Sequence, residues 1–309
     1  MAYQEGFLDR PIINKYLKVD IHEKAMTGDR MQTEHLPDEG HLCDVEHPHQ
    51  DAEKLDVPDQ NNCLRSDPQK IQLLGTKNTF NYFASRFGNY SFDPYLSAIY
   101  WIMDINEKAG NRVTFYFKAG RTDPQFDSAY SLDEPIIRKL LRDIHNRGHE
   151  IGLHPSYHTY RDAKQLCLEA DNLRRVLEEE NICQDILGSR QHYLRWDSAT
   201  TPSLLEKAGI DYDTTLSYAD HAGFRCGVCY EYPIYHWVLR STLNVNEIPL
   251  IVMECSFFSK TYMGLSAKTA LDSMMLLKNM CIIYNGLYVL LWHNDYIMKK
   301  RYIELVAEG

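Results

Sequence analysis

The 309-residue chain lacks an apolar run long enough to cross a bilayer, so no helical membrane span is expected. Its first residues, Met1 to Gly6, carry neither the basic nor the apolar stretch of a secretory signal. Positive charge is in deficit. There are 33 Lys and Arg against 43 Asp and Glu, a formal net charge of -10, which argues against nucleic acid or an anionic membrane as partner. The eight cysteines show no framework spacing. The lone Cys226-x-x-Cys229 has no second pair nearby, so reduced thiols and a cytoplasmic location are expected rather than a disulfide scaffold or a zinc knuckle.

What is present is an ordinary apolar fraction of 44%, enough for a sizeable core, and 21 tyrosines. Such rings fill cores, and they also floor sugar sites. Residues 1–40 read as a short appendage, with a helix over 8–17 and loop over 20–40. A polar stretch over 49–69 reads as a long excursion. Beyond it the chain alternates. Helices are expected over 94–108, 135–147, 161–180, 202–208 and 267–284, several closed by glycine. Strands are expected over 113–117, 149–153, 185–190, 212–214, 248–254 and 287–292. Apolar strands separated by helices indicate an α/β fold with a parallel sheet covered by helices, and residues 41–309 are long enough for a (β/α) barrel. In such folds the chemistry gathers at the carboxyl ends of the strands.

The polar residues of interest follow strands. Gly148 to His158 reads as a strand, a turn and a helix opening at Pro155, a residue suited to a first helical turn. That would put His154 and His158 one turn apart, with both imidazoles able to face one divalent metal of zinc type. Arg190 ends another strand, and His293 ends the last. His41 to Pro48 is a short apolar piece that breaks into Asp44, Glu46 and His47. Carboxylate, histidine, arginine and histidine at four strand ends suit a metal hydrolase. A salt-bridge cluster at the sheet's mouth would account for most of them, but not for His293.

In these motifs the chain resembles the polysaccharide deacetylase (NodB homology) superfamily, carbohydrate esterase family four, from about His41 to His293. The resemblance implies a distorted, NodB-like barrel of about seven strands that deacetylates an N-acetylated sugar or a surface-glycan precursor with a divalent metal, Zn2+ by expectation. Asp44 would be the catalytic base, Arg190 its partner and His293 the catalytic acid. Glu46, His154 and His158 would hold the metal, while Tyr193 and Trp292 would contact the acetylated carbohydrate. Leu8 to Pro11 and Gly223 to Gly227 also look like a bacterial subgroup associated with surface-glycan synthesis. The chain departs from the pattern in two places. Glu46 stands where the family has Asp, and Arg190-Gln191-His192-Tyr193 replaces Arg-x-Pro-Tyr, which leaves the backbone N–H of Tyr193 as the oxyanion donor. Asp220 is the candidate for the acid that tunes His293. Other readings are a glycan-binding protein with weakened catalysis, a deacetylase of a non-sugar amide or O-acetyl ester, and a two-histidine, one-carboxylate iron oxygenase.

Overall fold

A computed structural model describes residues 16–20, 94–128 and 130–294, with backbone alone for 16–20, 94 and 95. The chain divides into two compact units, Met1–Glu23 with Asp93–Gly309, and Lys24–Phe92. All the described elements belong to the first unit. Asp44, Glu46 and the 49–69 excursion lie outside the described residues.

Nine strands form one sheet: β1 (Tyr16–Asp20), β2 (Val113–Phe117), β3 (Glu150–Leu153), β4 (Gly188–Ser189), β5 (Tyr212–Asp213), β6 (Tyr232–His236), β7 (Ser241–Glu247), β8 (Val252–Met253) and β9 (Val289–Leu291). Their order is β6-β7-β5-β4-β3-β2-β1-β9-β8, and every pairing is parallel except that of β6 with β7. The helices are α1 (Pro94–Lys108), α2 (Pro135–Asn146), α3 (Ala163–Glu179), α4 (Thr201–Lys207), α5 (Glu254–Phe258) and α6 (Ala267–Ile283). The alternation read from the sequence therefore gives a mixed α/β fold with a mostly parallel sheet.

Its physical basis is plain in the central strands. All residues of β2 and β3 are buried, as strands covered on both faces must be. Helix α2 buries Ile137, Leu140, Leu141 and Ile144, one stripe at helical spacing. Helix α3 does the same with Leu166, Ala170, Leu173 and Leu177, and starts where Asp162 accepts hydrogen bonds from the Lys164 and Gln165 amides. Inside the sheet Gly188 makes room for the Tyr212 ring, and Gly152 for that of Tyr116. The Tyr212 hydroxyl donates in turn to the buried carboxylate of Glu150.

The segment after β7 brings the two sides of the parallel array together. The Ile248 amide donates to the Asp213 carbonyl over 2.8 Å, and the Ile251 amide to the Val289 carbonyl over 3.1 Å. Tyr212, Ile248, Leu250, Met253, Val289 and Leu291 then share one buried cluster, so β5 packs in the same core as β8 and β9.

Three elements differ from the sequence reading. The segment read as helix and loop at the N-terminus contributes β1, which lies between β2 and β9. Residues 232–247 form an antiparallel hairpin, with Pro233 on the edge strand β6, where a missing N–H costs no ladder bond. The strand expected over 248–254 is only Val252–Met253, because Glu254 begins α5.

Candidate functional site

The parallel strands deliver polar side chains at their carboxyl ends. Lys118 follows β2, His154 follows β3, Arg190 follows β4, Thr214 follows β5, Glu254 follows β8, and His293 stands two residues beyond β9. Asp20 ends β1, in register with Tyr116. This is the edge of a parallel sheet where side chains from many strands converge.

His154 is 1% exposed. Its backbone amide continues the ladder to the Phe117 carbonyl over 2.7 Å, and its Nδ1–H donates to the Arg190 carbonyl over 2.7 Å. A carbonyl only accepts, so Nδ1 carries the proton and Nε2 the lone pair. Burial, followed by the charges of Lys118, Arg190 and His293, holds its pKa well below the ordinary imidazole range. The ring is neutral and its tautomer is fixed, which is the state a metal-ligating histidine requires.

Arg190 is wholly buried. Its Nε donates to the Thr214 carbonyl over 3.1 Å, its Nη2 donates to Thr214 Oγ1 over 3.0 Å, and its guanidinium carbon sits 4.9 Å from the Tyr116 ring centroid. Burial leaves the cation with few directions to face, and three of them are filled by the sheet itself.

Beside His154 lies a second buried imidazole, His192, with ring centroids 5.0 Å apart. Its Nδ1 lies 2.6 Å from Lys118 Nζ and 3.0 Å from Asp127 Oδ1. Lys118 and Asp127 form a 2.7 Å ion pair with no appreciable exposure on either side. Burial alone would raise the Asp127 pKa, but the hydrogen bond with His192 and the Lys118 charge hold it well below the usual carboxylate range. For His192, burial and the Lys118 charge push its pKa well down. Neither Lys118 nor Asp127 figured in the sequence reading. Lys118 was findable, since it directly follows a strand.

His293 is the opposite case. Its Nδ1 is hydrogen-bonded to Glu254 Oε1, while Cys255 Sγ donates to the same oxygen over 3.2 Å and lies 3.6 Å from Nδ1. Burial opposes the charge on His293. The Glu254 carboxylate and Cys255 together outweigh burial and keep the imidazole pKa well above its usual value. Glu254, Cys255 and His293 place one donor atom each within 4.8 Å of one another, a cluster able to hold a metal ion. The carboxylate beside His293 is thus Glu254. Asp220 instead sits 2.7 Å from its exposed neighbour His221.

His158 is placed apart from His154. Residues 155–158 form no α-helical turn; a 3-10 turn follows at Thr159–Arg161, and α3 begins only at Ala163. The His158 side chain is 53% exposed, with Nε2 3.2 Å from Asp123 Oδ2. The i, i+4 convergence expected from the sequence needs a helix that this segment does not make. Trp292 is fully buried, 6.1 Å from the Phe258 ring, and packs in the core. Tyr193, in contrast, is 38% exposed and has a positive φ of 57°, followed by Leu194 at 53°. Two consecutive left-handed residues are costly for side chains of this size. They turn Tyr193 edge-on to Phe126 and Tyr157, which stack on each other at 4.3 Å.

No family model matches the chain, and no curated protein matches it. The chemistry is therefore read from the geometry. A neutral, pre-oriented imidazole and a charged imidazole–carboxylate pair share one electrostatic neighbourhood, with the buried cations Lys118 and Arg190 acting on His154. That arrangement can bind a Lewis acid on one side and donate a proton on the other. Among the described residues no helix is long and apolar enough to cross a membrane.

Proposed function

We propose that the protein is a metal-dependent hydrolase that removes the acetyl group from an N-acetylated sugar or surface-glycan precursor, on a parallel sheet that closes as a distorted barrel. The bridging of β5 to β9 through Ile248–Ile251 supports that closure.

The observation that carries the reading is the pairing of His293 with Glu254, two buried or nearly buried groups at neighbouring strand ends. Amide hydrolysis requires a proton for the departing nitrogen, and an imidazole kept charged by a carboxylate holds one ready. His154 has the protonation state and fixed tautomer of a ligand. A divalent ion of zinc type, when bound, supplies an acidified water and a polarised acyl oxygen. Glu46 and His158 are the expected further ligands, although His158 is bonded to Asp123 here and that contact must break first. Arg190 would hold the catalytic base ionised. The family-like role of a strand-end acid falls by resemblance on Asp44. On the backbone, however, it is Asp20 that occupies the end of the strand between β2 and β9. The exposed face of Tyr193, with Tyr157 and Phe126, suits the apolar side of a sugar ring.

The test is acetate release from N-acetylated oligosaccharides by the metal-loaded chain. In that assay His293→Ala should lower turnover roughly 10²- to 10⁴-fold, with the ion at His154 retained. No acetate from any acetylated sugar, amide or ester would remove the reading. A second reading, a glycan-binding protein with weakened catalysis, is favoured by the exposed placement of His158. Oligosaccharide binding measured by calorimetry, without turnover, would select it.

A further inference from the structure

Cys255 has no part in the hydrolysis proposed above, yet it sits against both members of the His293–Glu254 pair. Glu254 is fully buried, and its second oxygen, Oε2, makes no hydrogen bond among the described residues. The site is rigidly based. Glu254 and Cys255 open α5 directly after β8, and the register Met253↔Leu291 holds that point beside the end of β9 and hence beside His293.

The donor set and its spacing are those of a small, thiophilic cation. Tetrahedral zinc with a sulfur at about 2.3 Å and nitrogen or oxygen at about 2.0 Å has donor–donor edges of about 3.5 Å. Here the sulfur–nitrogen edge is 3.6 Å and the sulfur–oxygen edge 3.2 Å. The remaining edge is the hydrogen bond from His293 to Glu254, which opens when an ion takes the place of its proton. Oε2 of Glu254 or a water can complete the shell.

We propose that Glu254, Cys255 and His293 form a binding site for a divalent cation of zinc type, distinct from the one expected at His154, and that an ion there withdraws His293 from proton donation. Binding sends to solvent the Cys255 thiol proton and the proton held between His293 Nδ1 and Glu254, and no electron is transferred. The inhibitory consequence rests on the deacetylase reading; the ion site does not.

The test uses the full chain, stripped of metal and titrated with Co2+. A thiolate-to-cobalt charge-transfer band in the near ultraviolet is expected, saturating by two equivalents, since the site expected at His154 takes cobalt as well. It should be lost in Cys255→Ser and kept in Cys167→Ser, while Glu254→Gln should weaken the binding at least 10-fold. Should Cys255→Ser fold poorly, the wild-type chain serves: one equivalent of Zn2+ at Cys255 should slow its alkylation, read by peptide mass spectrometry. Absence of the band, its survival in Cys255→Ser, or unprotected alkylation of Cys255 would overturn the site. A chain that shows the band but releases no acetate would lose the deacetylase reading and keep the ion site.

Discussion

Nδ1 of His154 donates to the backbone carbonyl of Arg190 over 2.7 Å, so the end of β3 fixes its histidine through the end of β4. A residue bound in this way cannot rotate or change tautomer without losing a buried hydrogen bond. Under the deacetylase reading, His154→Ala should therefore remove the ion expected at His154 from the purified chain and lower acetate release at least 10²-fold. Elemental analysis showing full metal in that variant would remove His154 from the ligand set.

Under the deacetylase reading Asp44 is the base by resemblance, while Asp20 ends the described strand β1. Asp20→Asn should cut turnover roughly 10²- to 10⁴-fold, with the fold intact by circular dichroism. Unchanged turnover in Asp20→Asn, together with a loss in Asp44→Asn, would return the role to Asp44.

The Lys118–Asp127 ion pair is buried on both sides. Removing one charge strands the other, so Lys118→Met and Asp127→Leu should each destabilise by about 3–5 kcal/mol. The double variant should lose less than the sum, as coupled groups do. Urea unfolding of the four chains measures this, and additive losses would show that the pair is not coupled.

The same pair gives a pH dependence with a definite sign. The Asp127 pKa is lower in the folded chain than in the unfolded one, so its contribution is fully present above the unfolded value of about 3.9. It drains away as pH falls below that value toward the depressed one. Wild type and Asp127→Asn should thus differ by a constant amount near neutrality and converge below about pH 4. A stability gap that persists unchanged to acid would contradict the depressed carboxyl.

Gly188 lies against the Tyr212 ring, and any Cβ there collides with it. Gly188→Ala should destabilise by about 1–3 kcal/mol, and Tyr212→Leu should recover part of the loss by vacating the space. A neutral Gly188→Ala in thermal unfolding would mean that the ring moves aside freely.

Much of the scaffold was legible before any coordinates. The bounds of α1 and β2, and those of α2, α6 and β3 to within one residue, follow from apolar periodicity and terminal glycines, while β9 is shorter than the 287–292 run that contains it. The hairpin β6–β7 was also written in the sequence, since Leu243 and Val245 alternate with exposed neighbours, but its polar residues hid it. At the site, His154, Arg190 and His293 are legible because each stands at or just beyond the carboxyl end of a strand.

What spacing could not decide was contact. Four residues separate His154 from His158, yet they converge only if a helix turns between them, and here the backbone delays that helix to Ala163. Glu254 gave no local signal as the partner of His293, which is 39 residues away; adjacency of β8 and β9 alone makes them neighbours. The sequence by itself determined which segments become strands and helices, since that depends on side chains a few positions apart. Only tertiary structure decided which strand ends meet, and so which imidazole is neutral and which is charged, because burial and neighbouring charges come from chain far away in sequence.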